Sequence, residues 1–400
     1  MLHLEPNPRF PGVVGHLASL TQLQLKQCKL DLANWWDRDQ AGRMLVAALS
    51  QCERLVHLSI SELSYSAPGG TLTRYIPVPT AVIHQMQQLT YLELARIRLR
   101  GPDQDGPASE PLQALTQLVD LRPAEVNSAA DGDRAEVTAN MLPSCSLAGT
   151  HHLKCLVLSH CSIEPGVLDD QTRLQHLHIA NCSMPGGGAG VAKLLSHLQP
   201  LQQLQHLQLT YSNLALTTRA GNPPVAAFSA LTASSMLQHL DISSCTLPTG
   251  VWQHIFPAGR QLPHLQALNI SRVKGSPGTY AAAPDISLLV SCCPGLQLLD
   301  MWGLQHGVGQ LAPLQGLSGL QTLSLAVDDH TAVEGVQAVC QLTGLRHLRM
   351  DLPRSADVHG LQLWQLMQLQ QLTALTFHGP WPVSCSQKKV SSFMNKVGWK

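Results

Sequence analysis

Apolar and polar positions along this chain repeat as one unit, L-x-x-L-x-L-x-x-(C/N)-x-L. Clear copies are Leu20, Leu23, Leu25, Cys28, Leu30 and Leu153, Leu156, Leu158, Cys161, Ile163. Two more are Leu174, Leu177, Ile179, Cys182, Met184 and Leu237, Leu240, Ile242, Cys245, Leu247. Partial copies begin at Leu55, Leu89, Leu204, Leu265, Leu296, Leu320, Leu345 and Leu372. A degraded copy begins at Leu115, with Asp120 in an expected leucine position. Counted from the first leucine, positions four and six are apolar and positions three, five and seven are polar. That two-residue period predicts a strand with one buried face. Apolar residues then follow at helical spacing, as at Met44, Leu45, Ala48 and Leu49, and at Val191, Leu194, Leu195 and Leu198. Each unit therefore reads as strand, turn, and helical or extended return. One unit cannot bury its leucines alone, so the core comes from stacking.

Leucine is common enough to make one copy weak evidence, but thirteen in order are strong. The pattern resembles the leucine-rich-repeat family from about 17 to 380. Cysteine at position nine of four copies, and Cys52 and Cys293 three residues before a first leucine, resemble its irregular, cysteine-containing intracellular type. The resemblance implies an α/β solenoid. A parallel sheet would line its concave side, with helices or extended segments on the convex side. Cys28, Cys161, Cys182 and Cys245 are expected to point inward and satisfy backbone groups at the turn. Spacings between first leucines reach 38 residues, against about 20–29 for standard units, so some units carry insertions. The expected organisation is a cap or truncated repeat at 1–19, repeats over 20–100, and a degraded repeat with a mobile loop at 101–150. Repeats resume over 151–380, and 381–400 is expected to form a capping helix, with Val390, Phe393, Met394 and Val397 on its apolar stripe.

Composition narrows the function classes. The 26 basic and 26 acidic side chains balance, which argues against a nucleic-acid partner. No run of about 18 apolar residues predicts a membrane span. Pro6 and Pro8 interrupt any signal-like apolar core, and 11 cysteines without a C-x-x-C pair fit reduced thiols. The expected setting is therefore cytoplasmic. The resemblance adds two narrower expectations, attachment to the cytoskeleton or ciliary axoneme, or substrate recognition in a ubiquitin-ligase complex. An F-box would need about 40–50 residues upstream, more than precede Leu20. A receptor-type ectodomain is a further alternative.

Positions three, five and seven form the concave face, where another protein is the expected partner, bound by a monomeric array. His176, His206 and His239 share position three of three successive units, with His178 on the first of those strands. Adjacent imidazoles suit metal binding or titration near neutrality, although duplication of the string LQHL also explains them. Gln208, Asp241, Asn269 and Asp300 share position five and read as a polar, acidic stripe for a basic or polar partner. Trp302, at position seven, is a candidate interface hot spot, with burial beneath a long loop as its alternative. His151, His152, Cys155, His160 and Cys161 cluster in sequence, but only Cys161 is expected to face the core, so convergence on zinc is not expected. Gly307, Gly309 and Ala312 match G-x-G-x-x-A, but Pro313 follows and no βαβ unit surrounds them. The Gly-rich stretch 185–190 lacks the Lys-Ser/Thr ending of a phosphate loop and reads as a turn. There is no G-x-S-x-G and no H-E-x-x-H. The expectation is thus a binding scaffold without cofactor, metal or catalytic residues.

Overall fold

The structure is a computed structural model. It describes residues 20–26, 29–31, 49, 52, 54–61, 64–66, 73–75, 77–79, 83, 85–95, 98–100, 115–124, 127–128, 141–142, 147, 150–160, 162–163, 166–169, 171–184, 186–211, 214, 224–275, 283–352 and 363–378. The expected N-terminal cap at 1–19, the capping helix at 381–400, Cys28, Cys161 and much of 101–150 lie outside these residues. The chain divides into two compact units, 1–186 and 187–400.

The first unit carries six strands of parallel sheet: β1 (Gln22–Lys26), β2 (His57–Ser61), β3 (Tyr91–Ala95), β4 (Asp120–Ala124), β5 (Cys155–Ser159) and β6 (His176–Ala180). Each pairs with the next in sequence order, for example Leu58 with Leu92 and Leu156 with Leu177. The return segments here include short strands. Arg98–Arg100 pairs with Pro77–Pro79 on one side and Asn127–Ser128 on the other.

The second unit carries seven strands: β7 (His206–Thr210), β8 (His239–Asp241), β9 (Ala267–Asn269), β10 (Leu298–Met301), β11 (Thr322–Ala326), β12 (His347–Asp351) and β13 (Ala374–His378). They too are parallel and consecutive. Its returns are helical: α1 (Gly188–Leu198), α2 (Trp252–Ile255), α3 (Ile286–Cys292) and α4 (Ala332–Cys340), with 3-10 turns between. In α1 the expected stripe of Val191, Leu194, Leu195 and Leu198 is buried. Gly186 and Gly187, in the Gly-rich turn, hold left-handed φ angles of 87° and 64° immediately before it. Both return types foreseen from the sequence occur among the described residues.

Parallel pairing follows from the repeat. A strand, a turn and a return bring the chain back to start the next strand in the same direction. Positions four and six supply the core: Leu58, Ile60, Leu92, Leu156, Leu158, Leu207, Leu209, Leu240, Ile242 and Leu268 are all fully buried. A further buried column lies three residues before each first leucine, where Cys52, Met86, Leu115, Leu201, Leu262, Cys293, Leu317 and Leu342 stand. The carbonyl of that residue accepts from the first leucine's amide, as Leu55 N to Cys52 O at 3.1 Å and Leu345 N to Leu342 O at 3.0 Å. Where the column is polar its side chains stay bonded. Ser234 Oγ donates to Leu204 O at 2.7 Å and Thr150 Oγ1 to Leu147 O at 2.7 Å.

This column corrects one register. Leu115 accepts from Leu118 in the same way, so Leu118 is the first leucine of that repeat. Asp120 pairs with Tyr91 and Leu121 with Leu92, which puts Asp120 at position three. The irregular residue in this repeat is Pro123, which occupies position six opposite Leu94.

Candidate functional site

Along β5, β6 and β11 positions four and six are buried while three, five and seven keep solvent contact. In the second unit this arranges two rows side by side in register. Position three runs His206, His239, Ala267, Leu298, Thr322, His347, and position five runs Gln208, Asp241, Asn269, Asp300, Ser324, Arg349. The His206 and His239 rings stack 5.8 Å apart. His176 and His178 lie at the same repeat positions on β6 of the first unit, half-buried to exposed.

The structure gives the position-five stripe a local role. Asp241 Oδ1 accepts from Ser243 N at 2.9 Å, Asn269 Oδ1 from Ser271 N at 3.1 Å, and Asp300 Oδ1 from Trp302 N at 3.0 Å. These are Asx turns, one per repeat in three successive repeats. The captured amide is withdrawn from the ladder, which fits the brevity of β8, β9 and β10, the only main strands of three or four residues among those described. The residue at position eight then takes a left-handed conformation. His160, Asn181, Tyr211, Ser244 and Arg272 have φ between 52° and 58°, and Gly303 has 80°. That turn directs position nine inward, where Cys182, Cys245, Val273 and Leu304 are buried. Cys245 Sγ donates to Leu209 O at 2.8 Å and Cys182 Sγ to Leu158 O at 3.5 Å. In both pairs the thiol satisfies the position-six carbonyl of the preceding repeat, as expected for cysteines turned inward.

The stripe is therefore less available than its composition implies. Asp241 is only 7% exposed, and its Oδ2 accepts from Gln208 Nε2 at 3.4 Å. Asp300 is half-buried, and burial raises its pKa although the Trp302 amide and the Arg349 and Arg272 guanidiniums pull it down. Trp302 is also only half-exposed. Its indole centroid lies 4.1 Å from the Arg272 guanidinium and 4.5 Å from that of Arg349. Its Nε1 donates to Asp351 Oδ2. Trp302 thus holds two arginines in place, Arg272 from the repeat before it and Arg349 from two strands after. Neither arginine was singled out from the sequence, because both stack on an indole about 30 and 47 residues away in the chain.

A second cluster lies on the same strand face in the first unit. The His57 and Tyr91 rings stack at 3.8 Å, and the Arg122 guanidinium lies 5.4 Å from the Tyr91 centroid. Arg122 makes two hydrogen bonds of 3.0 Å to Asp120. Ser59 Oγ donates to Glu93 Oε2 at 2.6 Å. Burial, then the Glu93 carboxylate, pushes the Tyr91 hydroxyl up to about 12. Cys155 lies beside Asp120 in register, on this face as expected, and burial lifts its thiol to about 11.

The glycine pattern at 307–312 has a structural explanation. Gly309 N and Leu311 N each donate to the Glu334 carboxylate at 2.7 Å, and Ala312 N donates at 3.1 Å. A loop of converging amides is an anion nest, and here a carboxylate from the next repeat fills it. The neighbouring His306 is 6% exposed, and neither ring nitrogen has a hydrogen-bond partner among the described residues. Burial lowers its pKa to about 4 against the opposing pull of Asp328 and Glu334. In the His151–Cys161 stretch, His152 Nδ1 meets Arg173 at 2.9 Å and His160 Nδ1 meets Asn181 at 2.8 Å. Among the described residues no group of three or more His, Cys, Asp or Glu is placed to hold a metal.

No family model matches the chain, and no curated protein sequence matches it significantly. Solved structures do match. The crystal structure of an internalin (inlF) from Listeria monocytogenes aligns with a TM-score of 0.55 at 15% identity, covering 95% of this chain and 86% of that one. An octameric complex of latrophilin 3, Unc5D and the leucine-rich repeats of FLRT2 aligns with a TM-score of 0.41 at 16% identity, covering 86% and 81%.

Proposed function

Taking the leucine-rich-repeat α/β solenoid fold as premise, we propose that this chain is a protein-interaction scaffold that holds its partner on the solvent-facing side of its parallel strands. The observation carrying this reading is the register itself. Buried positions four and six fix the backbone, and positions three, five and seven present continuous rows of side chains from consecutive strands. Rows on a rigid sheet are pre-organised, so little ordering entropy opposes binding. The partner-facing residues are His176 and His178 in the first unit, and His206, Gln208, His239 and Trp302 in the second, with Asp241, Asn269 and Asp300 shaping the turns beside them. We place the work in the cytoplasm, in attachment to the cytoskeleton or the ciliary axoneme. Six of the seven described cysteines are buried, and none of the seven is bridged to another, which supports a reducing setting.

The test avoids the turn-forming carboxylates. His206→Ala, Gln208→Ala and His239→Ala combined should cost no more than about 1–2 kcal/mol of unfolding free energy, since all three are half-exposed and the bond lost is the long one from Gln208 to Asp241. Affinity capture compared between parent and triple variant should show specific partners depleted from the variant. Identical partner sets would refute the sheet-face site. Co-sedimentation with microtubules checks the cytoskeletal setting, and a chain that stays wholly in the supernatant counts against it.

A further inference from the structure

Resting on that reading, we infer that the partner segment gripped by the second unit is acidic, its Asp or Glu side chains held by Arg272 and Arg349 on either side of Trp302. The sequence points the other way, toward a basic partner for an acidic stripe. Accounting for donors and acceptors reverses the sign. Asp241 is almost wholly buried, with Oδ1 accepting from Ser243 N and Oδ2 from Gln208 Nε2. Asp300 is committed to the Trp302 amide, and Asp351 to the Trp302 indole N–H. Each of these carboxylates is therefore engaged through at least one oxygen by a donor of the protein itself.

The cations are less fully engaged. Arg272 is exposed, at the left-handed position eight that lifts a side chain away from the strand. Its guanidinium lies over the Trp302 ring, and among the described residues no carboxylate lies within ion-pair distance of it. The Arg349 Nε is buried without a hydrogen bond, 3.8 Å from Asp351 Oδ1. A guanidinium stacked on an indole contacts it through its face and keeps its in-plane N–H fork for a carboxylate. Stacking also fixes the fork in advance, which lowers the entropy cost of capture. His347, exposed at position three of the Arg349 strand, and His239, half-exposed at position three of the Asp241 strand, add imidazole nitrogens but no carboxylate. Asp351 Oδ1, the buried acceptor left without a hydrogen bond here, faces Arg349 Nε at 3.8 Å and so already has a cation. The exposed Arg272 fork is the charged group on this face without a counter-charge among the described residues, and a carboxylate-bearing segment complements it.

The probe is a displayed library of random peptides, selected on the full 400-residue chain. Selected peptides should be enriched in Asp and Glu. Their affinity should fall with added salt and by at least about tenfold on Arg272→Glu, because a desolvated charge pair is replaced by repulsion. Arg272→Lys should recover only part of that loss, since ammonium keeps the charge without the fork or the stack. Arg272 is exposed, so these variants should fold like the parent, which circular dichroism checks; Arg349→Gln provides a second arm at the other cation. Selection of basic or uncharged peptides that the His206, Gln208 and His239 substitutions abolish would overturn the acidic assignment and keep the sheet-face site. Peptides indifferent to every sheet-face substitution, or no selected binder, would overturn both.

Discussion

Asp241, Asn269 and Asp300 shape the backbone before any partner arrives. Each carboxylate or amide oxygen captures the amide two residues on, and the residue immediately after that amide turns left-handed. Alanine at Asp241 or Asp300 should therefore cost about 1 kcal/mol in urea unfolding, the usual net worth of such a bond, whereas Asn should retain most of it by keeping the acceptor. Equal midpoints for the Ala and Asn variants would show that the turn stands without the side chain. Alanine at these two positions is thus a poor probe of binding, because it perturbs the turn. His306 sets a second prediction at this scale. Its folded pKa of about 4 lies below its ordinary 6.5, so the unfolded chain binds the extra proton first. Its neutral, buried form contributes its full stability above about pH 6.5, and that contribution is lost as pH falls toward 4, by up to about 3 kcal/mol. Chemical denaturation across that window should show the loss, and His306→Leu should flatten it. A parent curve flat between those pH values would contradict the assignment. The sequence offered the aspartates as an acidic stripe but gave no hint of the bond each makes, since residue type does not reveal which neighbour an oxygen meets.

At the scale of elements, the loop after β10 and helix α4 are joined by one carboxylate. Glu334 accepts from the amides of Gly309, Leu311 and Ala312, which are otherwise the unsatisfied donors of a 3-10 turn. Glu334→Gln weakens these charge-assisted bonds and Glu334→Ala removes them. The alanine variant should lose about 1–3 kcal/mol, read from its urea midpoint, with the glutamine variant between. Equal stability of all three would mean that water satisfies the amides as well. A G-x-G-x-x-A match read alone points toward a phosphate; the tertiary partner shows the anion to be internal. Repeat boundaries have the same character. Gly295 stands just before a first leucine, and a Cβ there would come 3.0 Å from the Pro263 carbonyl of the preceding repeat. The glycine permits that approach of neighbouring turns, a constraint visible only once the repeats are stacked.

For the whole molecule, stability in a repeat array is a sum of units and nearest-neighbour interfaces. Leu240 is fully buried between Leu207 and Leu268, so Leu240→Ala should cost about 2–5 kcal/mol. Hydrogen exchange should show the protection loss concentrated in residues 187–400 rather than 1–186, following the division into units. Uniform loss across both would show that they unfold as one. The sequence alone determined the strand-turn-return repeat, its thirteen copies, the buried identity of positions four and six, and the strand face left to solvent. It could do so because alternation is local: two neighbouring side chains on a strand must point to opposite sides whatever the rest of the chain does. Only the tertiary structure decided the remainder. It moved one repeat start from Leu115 to Leu118, committed the acidic stripe to its own turns, placed Arg272 and Arg349 about Trp302, and filled the glycine loop with Glu334. The arginine stacks and the Glu334 bonds pair residues from different repeats, across gaps whose irregular length hides them, and form only when stacking brings the two repeats together.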